Sequence, residues 1–206
     1  MKINTYNKLA TDEQIKKTAE ALTENGMKTT VVETGADAKH LIETMIPKGS
    51  EVMAATSETL KTIGVTEHIN ESGHHDAVMP KLMKMNRETE HAEMQKLGAA
   101  PQYIVGSVHA ITEDGKVVIA SNTGSQLPGY AYGSSKVIWV VGAQKITKDI
   151  NDATKRVYDY VLPLESERAH KAYGVPGSAV RKMLIVNSEG TPDRVHVIIV
   201  KEQLGF

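Results

Sequence analysis

Two apolar spacings alternate along the chain, one of helical period and one of short unbroken runs. Ile15, Ala19 and Leu22 form a helical stripe behind Thr11-Asp12-Glu13-Gln14. Thr11 and Gln14 have capping-box spacing, and Asn25-Gly26 ends the helix with Gly26 just past the last turn. Residues 27–33 then read as a strand. Ala38, Leu41, Ile42 and Met45 predict a helix over 37–46, stopped by Pro47-Lys48-Gly49, and residues 51–55 read as a short strand. This alternation implies parallel βαβ units. Residues 79–97 predict a single Met-rich helix capped by Gly98, with Arg87 and His91 on one face. Residues 149–162 predict another, which Pro163 breaks or follows with a short helix over 164–173. Residues 183–186 and 195–201 read as strands joined through 187–193 as a long hairpin, with VHVIIV apolar enough to be central.

Residues 103–145 hold the most informative patterns. Asp114-Gly115 between two β-branched runs signals a hairpin. A two-residue loop would set Glu113 opposite Lys116, Ile111 opposite Val118, His109 opposite Ala120 and Ser107 opposite Asn122, all on one face. KVIWVVG at 136–142 fits a strand buried on both faces of a parallel sheet. Lys145 follows it, just past a strand carboxyl end, where open α/β sheets bind ligands. That makes Lys145 a candidate partner for an anion, against the ordinary reading of a solvated loop lysine. Asn122-Thr123-Gly124-Ser125-Gln126 also follows a strand and could turn backbone N–H groups inward as an anion nest, or be a plain capped loop. Thr56 and Ser57 sit at a similar turn, as helix N-cap or as a cleft wall.

Composition narrows the classes. With 206 residues, 40% of them hydrophobic and 24% charged, the chain suits a single domain with a sizeable core. A formal net charge of −1 without a strongly basic stretch argues against nucleic acid and anionic membranes as partners. The absence of cysteine excludes disulfides, a thiol nucleophile and cluster ligation by cysteine. A polar start and no membrane-length apolar run give a cytoplasmic protein as the expectation. His74-His75-Asp76 reads as loop histidines rather than a metal site, because no ligand set of usual spacing completes it. No metal and no resident cofactor is expected.

GSVHAITEDGKVVIASNTGSQLPGYAYGSSKVIWVVGAQKI, followed by VLPLE and by LIVN…VHVIIVKEQLGF, resembles the LUD-domain family, which includes two components, B and C, of the bacterial lactate-utilisation system. The resemblance is strongest to short stand-alone members close to the C component of that system and covers nearly the whole chain, 1–206, as one LUD domain. It implies a Rossmann-like α/β fold, mainly parallel and flanked by helices, with a β-hairpin insertion. That fold is similar to the ribose-5-phosphate isomerase, glucosamine-6-phosphate deaminase and CoA-transferase group. It also implies a ligand at strand carboxyl ends, near Gly-rich turns and an acidic residue. Glu113 stands where family members show Glu before a small residue and Gly, and Asn122-Thr123-Gly124 stands where many show a polar-Gly turn. The chain lacks the cysteine clusters of the family's iron–sulfur partner.

Three functions follow as expectations. The first is organic-acid oxidation of the lactate type, with iron–sulfur or oxidoreductase partner proteins carrying the electrons. The second is a stand-alone enzyme on a sugar phosphate, acyl-CoA or folate, with Asn122, Thr123, Gly124, Ser125, Gln126, Thr56 and Ser57 around the anion. Lys145 would then be the counter-charge, and Glu113 or His109 would handle protons. The third is a non-catalytic metabolite sensor. The Met-rich helix suggests a homodimer.

Overall fold

The computed structural model describes residues 6–206; the polar first residues of the chain lie outside that range. Ten strands form two sheets. The larger is wholly parallel, in the order β1 (Lys28–Val32), β10 (Val195–Val200), β7 (Lys136–Gly142), β4 (Tyr103–Gly106), β2 (Glu51–Ala54), β3 (Asp76–Ala77). The KVIWVVG strand is therefore interior, and its alternate side chains feed two cores. Ile138 and Val140 face α2 (Gly35–Met45), α3 (Glu58–Thr62) and α4 (Val65–Glu71). Val137, Trp139 and Val141 face α1 (Asp12–Glu24), α5 (Val78–Lys84) and the second sheet. The chain is α/β with a mainly parallel central sheet flanked by helices, as its pattern predicts. Among the described residues, no helix is long and apolar enough to cross a membrane.

The second sheet is ordered β8 (Ile146–Thr147), β5 (Ala110–Thr112), β6 (Val117–Ser121), β9 (Lys182–Val186). The hairpin forms where Asp-Gly predicts it, but one residue out of the expected register. Ile111 pairs with Val117 and Ala110 with Val118. The loop has three residues, because Thr112 N–H donates to Lys116 O (2.9 Å) and Gly115 takes φ +79°. Glu113 N–H is drawn outward to Thr147 O of β8 (2.9 Å), and the Asp114 carboxylate accepts from Thr112 Oγ1 and Lys116 Nζ. A one-residue slip exchanges faces. Ile111 joins Val117 and Ile119 between the sheets, while Ala110, Val118 and Ala120 turn toward α7 (Ile150–Arg156).

Three further expectations change. Residues 79–97 are two helices, α5 and α6 (His91–Ala99). The Glu90 carboxylate accepts from Asn86 N–H (2.7 Å) and Asn86 Oδ1 from Glu88 N–H (2.8 Å), so local side chains take the N–H groups that a continuous helix would use. Gly98 lies within α6 rather than capping it. At Pro163 the second of the two outcomes holds, and the proline opens the next helix. A π turn, Val157–Val161, carries α7 directly into α8 (Leu162–Tyr173), and Pro163 sits at the start of α8, next to the π-type bond from Leu162 N–H to Val157 O. Finally, β9 and β10 make no hairpin: β9 pairs with β6, while β10 lies between β1 and β7.

Candidate functional site

A cavity of about 910 Å³ opens at the carboxyl ends of β2, β4 and β7. Its walls come from α5, α6, α8, the end of β6 and both π turns, Gly129–Gly133 and Val157–Val161. Thr56, Ser57, His109, Asn122, Thr123, Gly124, Ser125, Gln126 and Lys145 all line it. Glu113 does not. It sits on the far side of the hairpin tip, taking Lys17 Nζ (2.8 Å) and Gln14 Nε2 (3.1 Å) from α1, contacts that hold its carboxyl below the usual range. This geometry gives Glu113 a structural anchor to α1 and no path to a ligand in the cavity.

Lys145 is 2% exposed. The turn Ala143–Lys145 after β7 folds it back beneath the strand ends, where Nζ reaches Thr59 Oγ1 (3.0 Å), Ser107 Oγ (3.1 Å) and Val108 O (3.2 Å). No carboxylate among the described residues pairs with it. Burial first, and then the Arg156 guanidinium, hold its pKa well below the ordinary lysine value. The solvated loop lysine that sequence allows is thus replaced by a desolvated amine at the cavity floor.

His109 lines the same cavity, and its Nδ1 accepts from Ala120 N–H (3.1 Å). The proton of the neutral ring is therefore on Nε2, where it can donate. Burial, then the nearby Lys145 and Arg156 charges, lower His109 to about 3. His109 is a fixed hydrogen-bond donor rather than a proton acceptor at neutral pH. His196 on β10, lowered to about 4 by burial and then Lys28, behaves likewise. The unfolded chain takes up protons near pH 6.5 that these folded sites refuse, so stability falls as pH drops below that value. On the order of 1–2 kcal/mol should be lost for each histidine by pH 5. Urea midpoints at pH 7 and 5 check this, with His196→Gln expected to flatten the dependence; identical wild-type midpoints would contradict it.

The Asn122–Gln126 turn is partly closed on itself. Gly124, at φ +88°, donates its N–H to Ser121 Oγ (2.8 Å), and Ser125 N–H reaches Thr123 Oγ1 (3.3 Å). These two N–H groups do not form the expected anion nest, so the turn offers the cavity side-chain amides and hydroxyls instead. Ser57 caps α3 by accepting from Leu60 N–H (3.3 Å), so it is an N-cap and a wall residue together.

Several cavity groups lie beyond the sequence reading. Arg168 on α8 is held bidentately by Glu165 (2.7 and 2.8 Å), and Glu58 lies 3.8 Å away. Arg156 is fully buried behind the floor, donating to His109 O (2.5 Å) with Tyr160 stacked at 5.1 Å. Arg156 borders the apolar stripe of Ala153 and Val157, a signal that could have marked it as an inward cation. Arg87 and His91 both reach the cavity, though Arg87 lies in the turn before α6 rather than on a shared helical face. His68, His74 and His75 gather with ring centroids 5.6 to 6.5 Å apart, away from this cavity. No group of three or more His, Asp or Glu among the described residues is arranged to hold a metal.

No curated protein matches the chain. A DUF162 family protein from Deinococcus radiodurans, known from its crystal structure, shares the fold. Its TM-score is 0.57 at 13% identity, covering 94% of this chain and 99% of that one. The LUD domain family model matches residues 15–200, from α1 to the end of β10, taking in both sheets and the cavity. The chain belongs to the LUD-domain family.

Proposed function

We propose that this LUD domain binds a small anionic metabolite in the cavity and serves organic-acid metabolism of the lactate type together with partner proteins that carry electrons. The observation that carries the binding reading is Lys145, a buried amine with no carboxylate partner among the described residues, in one cavity with Asn122, Gln126, Thr56 and His109. Protein interiors seldom leave such a group without a counter-charge. A carboxylate or phosphate beside Nζ supplies one.

The sign of the pH dependence follows. An anion next to Lys145 favours its charged form, so binding takes up a proton. Affinity should be constant at low pH, then fall as pH rises through the depressed value of the free protein. A thermal-shift panel of lactate, pyruvate, sugar phosphates, CoA esters, folates and nucleotides tests the reading. A ligand at about a hundred times its Kd should add about 2.7 kcal/mol. Lys145→Met and Asn122→Ala should weaken that shift. If every compound leaves the melting temperature unchanged, the binding reading is lost.

A stand-alone activity is favoured by one observation: hydroxyl groups, rather than acids, surround Lys145. Such a shell suits chemistry as well as binding.

A further inference from the structure

We propose that Ser107 and Lys145 form a nucleophile–base pair that cleaves an activated acyl group, an ester or thioester carrying an anionic substituent. Ser107 follows β4 directly, is only partly buried and lines the cavity, whereas Lys145 lies behind it, 2% exposed. The Nζ–Oγ separation is 3.1 Å, within reach for proton transfer. Serine with a neutral lysine as its base is a known variant of the activated hydroxyl.

The hydrogen bonds around Nζ accommodate both protonation states of the amine. Thr59 Oγ1 gives its own proton to Leu204 O (3.0 Å), so toward Lys145 it is an acceptor. Val108 O is an acceptor by nature. As an ammonium Lys145 donates to Ser107 Oγ as well; as a neutral amine it keeps Thr59 Oγ1 and Val108 O as acceptors and turns its lone pair to the Ser107 O–H. Burial and the nearby Arg156 guanidinium favour the neutral state.

The chemistry balances without a further reagent. Ser107 Oγ attacks the acyl carbon as its proton passes to Lys145 Nζ, giving a tetrahedral oxyanion. The C–O or C–S bond to the leaving group then breaks, and the leaving group departs with the proton from Nζ. Water attacks the acyl-serine ester, Lys145 again taking and returning a proton, and the carboxylate product leaves. His109 Nε2–H and Arg168 line the same cavity as donors for oxyanion and anionic substituent.

The proposal rests on this cavity being the ligand site, yet its test is separate. The purified protein is treated with an alkyl fluorophosphonate and followed by intact mass and peptide mapping. One phosphonyl group on Ser107 is expected, absent in Ser107→Ala and at least about a hundredfold slower in Lys145→Met. The labelling rate should rise with pH and level off well below the usual lysine range. Absence of labelling on folded protein overturns the pair, as does labelling that Lys145→Met leaves unchanged. Trapping of a 2-oxo acid on Lys145 by borohydride overturns it too, since the amine would then be the nucleophile. Absence of labelling on wild-type protein that still shows a thermal shift with lactate or phosphate overturns the pair and leaves the binding reading standing, so the two measurements report on different claims.

Discussion

Arg194→Met is expected to remove about 3–5 kcal/mol of stability, the cost of stranding a buried charge and its acceptors. Arg194 is 8% exposed. Its guanidinium donates to Ser134 O (2.9 Å), Gly129 O (3.0 Å), Tyr130 O (3.0 Å) and the Glu189 carboxylate (2.7 Å). It thereby fixes the first π turn, which sets Tyr130 in the cavity wall and against Trp139 (centroids 5.5 Å apart). Methionine keeps much of the volume but removes the guanidinium donors to three carbonyls and strips a mostly buried carboxylate of its counter-charge. Gly129 O is left with Ser134 N–H (3.2 Å) and the Glu189 carboxylate with Thr191 N–H (2.7 Å). Urea unfolding measures the loss, and adding Glu189→Gln should recover part of it. Lys136→Met removes a single exposed bond to Asp193 O and should cost within about 0.5 kcal/mol. A loss below about 1 kcal/mol for Arg194→Met would show that the turn does not depend on it.

Gly26→Ala should cost about 3 kcal/mol, combining a left-handed backbone penalty with a clash. Gly26 has φ +82°, and a Cβ there would lie 2.2 Å from Glu189 O. That oxygen belongs to backbone held by Glu189 N–H to Asn25 O (2.8 Å), so it cannot swing away. Gly49 separates the two contributions: it has φ +81° but nothing within 4 Å of its Cβ position. Gly49→Ala should therefore cost about 1 kcal/mol. Equal losses at the two sites, read from thermal or urea midpoints, would contradict the steric argument.

The elements that were legible in sequence are those fixed by neighbours along the chain. Thr11 and Gln14 do form a capping box, and Gly26 does sit past the helix end in the left-handed region. KVIWVVG needs burial on both faces and finds it between β10 and β4. What stayed hidden depends on partners far along the chain. The hairpin register turned on Glu113 N–H meeting Thr147 O, and β9 went to β6 because the second sheet offered an edge. The cavity's polar turns were readable from their residue types and positions after strands. Its chemistry was less so, because Lys145 looks like any loop lysine until Thr59 and Ser107 surround it. Arg194 is hidden for the same reason, since its acceptors on Gly129, Tyr130 and Ser134 lie far along the chain.

The π turn between α7 and α8 has a consequence for divergence within the family. A π turn holds one residue more than the helical turn it replaces. Deleting one residue from Val157–Val161 would restore a plain α-helical turn and leave the helix beyond it almost where it is, because the bulge holds the extra residue. Glu165 and Arg168 would keep their places in the cavity wall, whereas the same deletion inside α8 would turn every residue beyond it by about 100°. A single-codon deletion at this joint can therefore be absorbed with the charged wall of the cavity and both sheets intact, so chain length can vary here without loss of the site.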